Sequence, residues 1–321
     1  MVARILAAVS CNLRGWQGSI MYKATTIWFG RVAAVMTGLL GSAAYAAPAP
    51  LLLQSPTLSA ERIAFAYGGE IWTLPRSGGD ATLLVGGAGT ASGPVFSPDG
   101  RMLAYTANVN GNDDVFVVPA SGGQPTRLTW HPDRDAAVGW SADGKSVLIR
   151  SHRDATNDSN QLYVLPLSGG LPQALPLPMA EQGAFSPDGT HIAYNPVVQW
   201  EPEWRDYHGG QTTRIWIARL SDSSVVKLPH ADANDRDPMW MGDTVYFLSD
   251  RDGPATLYAY DTGSAKLVRL IDNSGFPIDG AAAANGTIVY TQMGALHLYD
   301  VAGRSDRRVP VRIDRPARTL S

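Results

Sequence analysis

The chain has 321 residues, 45% of them apolar and 17% charged, a globular composition that excludes an intrinsically disordered protein. Its formal net charge of −3 conceals a division: four of the 26 basic residues but none of the 29 acidic ones fall in the first 46 positions, so the remainder carries 22 basic against 29 acidic groups, a net of −7. That balance argues against nucleic acid as a partner, because phosphate neutralisation needs a basic stripe.

The first 46 residues hold Arg4, Arg14, Lys23 and Arg31, then an apolar or small run from Val32 that ends in Ala44-Tyr45-Ala46. A basic start, a short apolar stretch and an A-x-A end predict a secretory signal peptide cleaved near Ala46, and with it an exported, periplasmic protein. The run falls short of the ~20 residues of a membrane helix, so no stable span is expected after cleavage; an uncleaved anchor is the alternative. Met21-Tyr22-Lys23 opens a leader of ordinary length by itself, which makes Met21 an alternative start. The single cysteine, Cys11, precedes it, so the mature chain is expected to have neither disulfide nor thiol chemistry.

From residue 47 onward the sequence repeats. Phe96-Ser97-Pro98-Asp99-Gly100 returns as Trp140-Ser141-Ala142-Asp143-Gly144 and Phe185-Ser186-Pro187-Asp188-Gly189. Leu58-Ser59-Ala60-Glu61 precedes them, and Trp240-Met241-Gly242-Asp243 and Ala283-Ala284-Asn285-Gly286 are weaker copies. In step with these run Ile71-Trp72-Thr73-Leu74, Val115-Phe116-Val117-Val118, Leu162-Tyr163-Val164-Leu165, Ile215-Trp216-Ile217-Ala218, Leu257-Tyr258-Ala259-Tyr260 and Leu296-His297-Leu298-Tyr299. Ser-Gly-Gly closes the first three units at 77–79, 121–123 and 168–170. Within the second unit the pattern predicts strands over Gly93–Phe96, Met102–Thr106, Val115–Pro119 and Thr126–Thr129. Ser-Pro-Asp-Gly supplies a tight turn, since Pro presets φ, Asp bonds the local backbone and Gly accepts positive φ. No segment after residue 50 keeps a 3.6-residue apolar period, so almost no helix is expected.

Six in-phase units predict an all-β fold over residues 47–313: a six-bladed β-propeller of four-stranded antiparallel blades with WD40-like Ser-Pro-Asp-Gly repeats, followed by a tail over 314–321. A pair of β-sandwiches is the alternative. With four strands per unit in chain order, blade 6 should close the ring by packing on blade 1, with no strand donated across the seam.

Three stretches narrow the resemblance among Ser-Pro-Asp-Gly propellers, which also include the Tol-system propeller and those of prolyl oligopeptidase and dipeptidyl peptidase relatives. They are Ser121-Gly122-Gly123-Gln124-Pro125-Thr126-Arg127-Leu128-Thr129 followed by Trp130-His131-Pro132, Gln161 to Pro172, and the long insertion Trp204-Arg205-Asp206-Tyr207-His208-Gly209-Gly210-Gln211 before Ile215. With Tyr246 to Gly253, they make residues 51–313 resemble the first propeller of bacterial tricorn protease homologues. The resemblance implies a serine protease family whose second propeller, PDZ-like domain and protease domains follow this module. The catalytic residues lie in those later parts. It also implies a non-catalytic channel or docking module that takes peptides, or partner domains and subunits of a tricorn-like assembly. One loop of that module supplies basic residues near the peptide's C-terminus; here the matching loop, His131 to Asp135, offers only Arg134. A stand-alone periplasmic scaffold in the manner of the Tol-system propeller is the alternative.

The residues themselves suggest no catalytic, metal or cofactor site. There is no Gly-x-Ser-x-Gly elbow and no His-Glu-x-x-His. Ser224-Val225-Val226-Lys227 fits Ser-x-x-Lys but leads into an outer strand. His297 alternates with apolar residues on a strand, and Asp250-Arg251-Asp252-Gly253 reads as a turn rather than a calcium loop. What remains is a face. The loop between strands two and three opens on the same side as the connection to the next blade. Trp200, Trp204, Arg205, Tyr207 and His208 of the insertion should therefore crowd one rim with Arg134, Arg153, Arg236 and Arg251, a composition suited to recognition.

Overall fold

Each repeat folds into one antiparallel sheet of four consecutive strands. The computed structural model describes residues 51–87, 89–154, 159–198 and 209–314. The leader expected over 1–46 and the tail past residue 314 lie outside the described residues. Blade 1 comprises Gln54–Leu58, Arg62–Tyr67, Glu70–Pro75 and Thr82–Val85; blade 2, Thr90–Phe96, Met102–Val109, Asn112–Pro119 and Thr126–Arg127. Blade 3 comprises Asp135–Trp140, Ser146–Ser151, Gln161–Pro166 and Gln173–Ala174; blade 4, Gln182–Phe185, His191–Asn195, Trp216–Arg219 and Val225–Lys227. Blade 5 comprises Asp235–Met241, Thr244–Ser249, Thr256–Asp261 and Lys266–Arg269; blade 6, Ile278–Ala284, Thr287–Gln292, Ala295–Asp300 and Ser305–Arg308. The described residues contain no helix. First strands neighbour one another around the ring, and that of blade 6 meets that of blade 1.

The second strands are apolar on both faces, as in Ile63-Ala64-Phe65-Ala66 and Val245-Tyr246-Phe247-Leu248, and a sheet with two apolar faces must bury both. It does so between neighbours. Ile63 and Phe65 join Val289, Leu296 and Leu298 of blade 6, while Ala64 and Ala66 face Phe96, Leu103 and Tyr105 of blade 2. The same division by alternate residues repeats at every blade junction.

The Ser-Pro-Asp-Gly turns share one geometry. In blade 2, Ser97 Oγ donates to Asp99 Oδ1 at 2.6 Å, and Asp99 accepts the Arg101 N–H at 3.0 Å. Ser97 Oγ also accepts the Met102 N–H at 3.0 Å. Ser141 with Asp143 and Ser186 with Asp188 repeat this, with Gly100, Gly144 and Gly189 at φ near +70°. The weaker copies have shorter turns: Asn285-Gly286, both at positive φ, is a two-residue hairpin loop of the kind that suits the strand twist. Blade 2 has longer middle strands than the sequence predicts, because Asn110-Gly111, at φ 63° and 91°, lets pairing continue to Val109↔Asn112.

The seam differs from the sequence expectation. The four-stranded sheets do stay in chain order, yet a strand crosses between the ends. Val311–Arg312 pairs in parallel with Gly79–Asp80 of blade 1. The Gly79 N–H donates to Pro310 O and the Ala81 N–H to Arg312 O, both at 2.8 Å, and Arg312 Nε lies 2.6 Å from Asp80 Oδ1. Arg307 donates to Arg76 O at 2.6 Å, and Arg76 reaches Thr287 Oγ1 of blade 6. Val309 is buried in the core of the same junction.

Gly78 tests this clip. Its φ is +91°, and a Cβ there would sit 2.6 Å from Pro310 O. Gly122 holds the equivalent place in blade 2 at the same φ with nothing within 4 Å. Gly122→Ala should cost only backbone strain, on the order of 1 kcal/mol, and Gly78→Ala should cost ~1–3 kcal/mol more, read as the difference between their urea midpoints. Acid should also loosen the turns. The Ser186 hydroxyl, then the Thr190 N–H, hold the Asp188 carboxyl at about 2 against an ordinary 3.8. A depressed folded value means a contribution fully present above pH ~4 and lost as pH falls through ~2. Unfolding midpoints should fall over that window less steeply in Asp188→Asn than in the wild type.

Candidate functional site

The six first strands surround a channel of about 1630 Å³. Its wall is built mostly from small side chains, including Gly93, Ala137, Gly139, Gly183, Ala184 and Gly280. One mouth is formed by the turns between first and second strands, the other by the interblade connections and the turns between second and third strands.

Five of the six first strands carry a one-residue bulge against their second strand, at 54/57, 92/95, 137/139, 236/239 and 278/280. In blades 1, 2 and 5 the bulge contains a residue at positive φ followed by proline: Ser55-Pro56, Gly93-Pro94 and Asp237-Pro238, with φ of 46°, 56° and 53°. A bulge breaks the ladder and proline has no N–H to donate, so these inner edges are poor templates for an added strand. An occupant of the channel must be held by side chains rather than by sheet extension.

At the mouth with the interblade connections, the four described arginines predicted for the rim share a face but differ in availability. Arg134 is 81% exposed at the side chain and lies 3.7 Å from Asp113 Oδ2. Arg236 spans two blades at the channel, donating to Asp279 O at 2.7 Å, Ile278 O at 2.6 Å and Asp237 Oδ2 at 3.0 Å. Arg153 and Arg251 fold into their own blades. Arg251 Nη2 meets Asp235 Oδ1 at 2.7 Å and its Nε donates to Ser249 Oγ at 2.9 Å, with the guanidinium 5.1 Å over Tyr258. Arg153 repeats this with Asp135 at 2.6 Å, Ser151 at 3.1 Å and Tyr163 at 5.5 Å. Tyr258 OH donates to Asp252 at 2.6 Å; burial, then that bond, raises its pKa. The signal was present in the sequence as Ser-x-Arg-Asp, at 151–154 and 249–252, upstream of a Leu-Tyr pair. Trp200, Trp204, Arg205, Tyr207 and His208 lie outside the described residues.

The neck of the blade-4 insertion is tied to this mouth by residues that sequence reasoning passed over. Asn195 Nδ2 donates to Thr213 Oγ1 at 3.0 Å, Arg214 O at 2.7 Å and Asp235 O at 2.8 Å. Thr213 Oγ1 donates to Val197 O at 3.0 Å, closing the neck, and the Thr213 N–H reaches Asn234 Oδ1 at 3.3 Å. Trp130, 68% exposed, stands beside Arg134 in the chain with the Arg127 guanidinium 5.7 Å from its ring.

The remaining chemical candidates are engaged locally. Ser224 Oγ donates to Asp222 Oδ1 at 2.7 Å, and Lys227 lies 4.8 Å over the Trp216 ring. His297 stacks on Tyr290 at 4.9 Å and faces Asp306 Oδ2 at 3.4 Å. Among the described residues no three His, Cys, Asp or Glu side chains gather in metal-binding geometry.

Residues 50–305 match the family model described as the tricorn protease N-terminal beta propeller domain. Tricorn protease homolog 1 of Streptomyces coelicolor is 32% identical over 268 residues, which is 83% of this chain and 25% of the relative. The crystal structure of the tricorn protease aligns with a TM-score of 0.73 at 21% identity, over 81% of this chain and 26% of that one, a likeness of fold. A putative TolB from Agrobacterium tumefaciens aligns with a TM-score of 0.57 at 24% identity, over 69% of this chain and 81% of its own, again a likeness of fold. The chain thus spans about a quarter of the length of these two tricorn proteins.

The paired arginines give a stability test. Removing one partner of a buried ion pair leaves the other uncompensated, so Asp235→Ala should cost ~3–5 kcal/mol. Arg134→Ala, at an exposed pair, should stay within ~0.5 kcal/mol. Urea unfolding of the two variants checks both.

Proposed function

The chain belongs to the tricorn protease N-terminal β-propeller family, and we propose that it serves as a non-catalytic channel and docking module in tricorn-type proteolysis. The observation that carries this reading is the through-channel. It is lined by all six first strands, with many Gly, Ala and Ser positions and with bulges and prolines that discourage strand addition. Over the ~20 Å that a six-residue strand spans, 1630 Å³ corresponds to a bore on the order of 10 Å, enough for one extended peptide. At its mouth Arg236 and Asn195 donate to backbone carbonyls of neighbouring strands and loops and tie the blades together there.

The docking surface in this reading is the face of the interblade connections. It carries the exposed Trp130 and Arg134 and the bridging Arg236, and the neck of the blade-4 insertion opens onto it; the insertion's own Trp204, Arg205, Tyr207 and His208 are proposed to extend it. Arg153 and Arg251 support that face from within. The partners are the protease and PDZ-like domains, or other subunits, of a tricorn-like assembly. The site of action is the periplasm, reached by a leader removed near Ala46. A second reading is a protein-interaction scaffold in the manner of the Tol-system propeller, whose fold a putative TolB shares.

The purified mature chain should hydrolyse no peptide substrate, yet bind a fluorescein-labelled unstructured ten-residue peptide. Ala184 lines the channel, and Ala184→Trp should narrow it and weaken that binding at least ~10-fold, read by fluorescence anisotropy. Unchanged binding in that variant would place the peptide outside the channel and sink this reading. N-terminal sequencing of protein exported with its leader should begin at Ala47.

A further inference from the structure

The channel has two unlike ends. The mouth formed by the turns between first and second strands is lined by uncharged residues, among them Ser59, Ser97, Ser141, Ser186 and Asn285. Every charged side chain lining the channel, among the described residues, sits at the opposite mouth. Four are carboxylates: Glu181, Asp237, Asp250 and Asp279. Three are arginines: Arg150, Arg236 and Arg251. Arg251 is neutralised by Asp235, which is buried behind the wall at 1% exposure. Two guanidinium groups therefore stand against four carboxylates at this opening. The residues after position 46 carry a net of −7, so the wider surface does not reverse that sign.

A second observation points the same way. Asn195 lines this mouth and is 2% exposed. Its amide nitrogen faces two backbone carbonyl oxygens, Arg214 O and Asp235 O, which accept only. That fixes the orientation of the amide, since a flip would set oxygen against oxygen. Its Oδ1 is left buried with no donor. Beside it, the Glu181 N–H donates to Asn195 O at 2.8 Å. The Glu181 carboxylate accepts from Asn160 at 3.0 Å and lies 3.4 Å from Arg150. Asn195 Oδ1 is thus one buried acceptor on the blade 4–5 side of the mouth without a donor, and such an atom favours an incoming N–H group over an oxygen.

Resting on the peptide-channel reading, we infer that this mouth selects cationic peptides: it receives an extended segment carrying lysine, arginine or a free amino end. Anionic segments are turned away there. The one cation in the connection after blade 2, Arg134, already lies beside Asp113, so it does not offset the acidic rim. At the opposite mouth no charged side chain lines the wall, and in the turns outside it Asp99 stands beside Arg101 and Asp143 beside Lys145, so the charge preference belongs to the mouth with the interblade connections.

The test uses the mature chain and three fluorescein-labelled ten-residue Gly-Ser peptides, one with four lysines, one with four glutamates and one uncharged. At low salt the lysine peptide should bind ~10-fold or more tighter than the glutamate peptide, and the gap should shrink at 0.5 M salt. Asp237→Asn keeps a residue type that tolerates positive φ. Combined with Asp279→Asn, it should weaken the lysine peptide several-fold and leave the uncharged one unchanged. Equal binding of the lysine and glutamate peptides, or no response to the double substitution, would overturn the inference. If the uncharged peptide still binds and is lost in Ala184→Trp, the channel reading survives that failure. If none of the three peptides binds, the channel reading itself falls.

Discussion

Every blade of this propeller owns half of two cores, and the rest of the structure follows from that constraint. A sheet whose second strand reads Ile63-Ala64-Phe65-Ala66 cannot leave either face in water. Phe65 is fully buried against blade 6, and Ala66 is 5% exposed against blade 2. Burying a large apolar side chain contributes ~1.5–3 kcal/mol, and each junction contains several. The gain is complete only when the ring is closed, because an open ring would expose one face of blade 1 and one of blade 6. The two-residue clip at Val311–Arg312 is too small to supply that energy. Its role is to fix which surfaces meet, with the side chains of Leu53, Leu296 and Val309 completing the junction it guards.

How much of this was legible in the sequence depends on whether a feature repeats. Six in-phase copies of turn and strand predicted the blades, because strand alternation and Ser-x-Asp-Gly turns are local and recur. The weaker copies in blades 5 and 6 are different turns, two residues long, that keep the phase while losing the motif. The clip left no such trace. Its partners are Gly79 and Val311, over two hundred residues apart, and a two-residue parallel pairing has no periodicity to detect.

The arginines show the same limit from the side of the site. Placing Arg134, Arg153, Arg236 and Arg251 on one face required only the order of strands, and they do share it. Whether a guanidinium on a loop points outward depends on what lies beneath it. In blades 3 and 5 a buried aspartate from the first strand and a tyrosine from the third draw it inward. Blade 2 solves a comparable problem with different residues, Arg127 against Asp114, so the clasp is not a property of the repeat. Two occurrences of Ser-x-Arg-Asp in one chain were visible but carried no meaning until the tyrosine beneath was placed.

The channel itself follows from the same ring geometry. First strands crowd together at the centre, and glycine lets them pack closely: a Cβ at Gly183 would sit 2.9 Å from Ile192 and 3.0 Å from Leu162 in the core behind the wall. An edge strand of small residues would ordinarily invite pairing. Bulges in five blades, three of them locked by proline, remove that option while leaving the bore open. Affinity in such a channel can come only from side chains, and the charged ones are confined to a single mouth. If the channel carries peptide as proposed, charge can discriminate only at that mouth, and the uncharged wall beyond it, with Phe185, Met239 and Trp240 among its side chains, can only offer apolar contact.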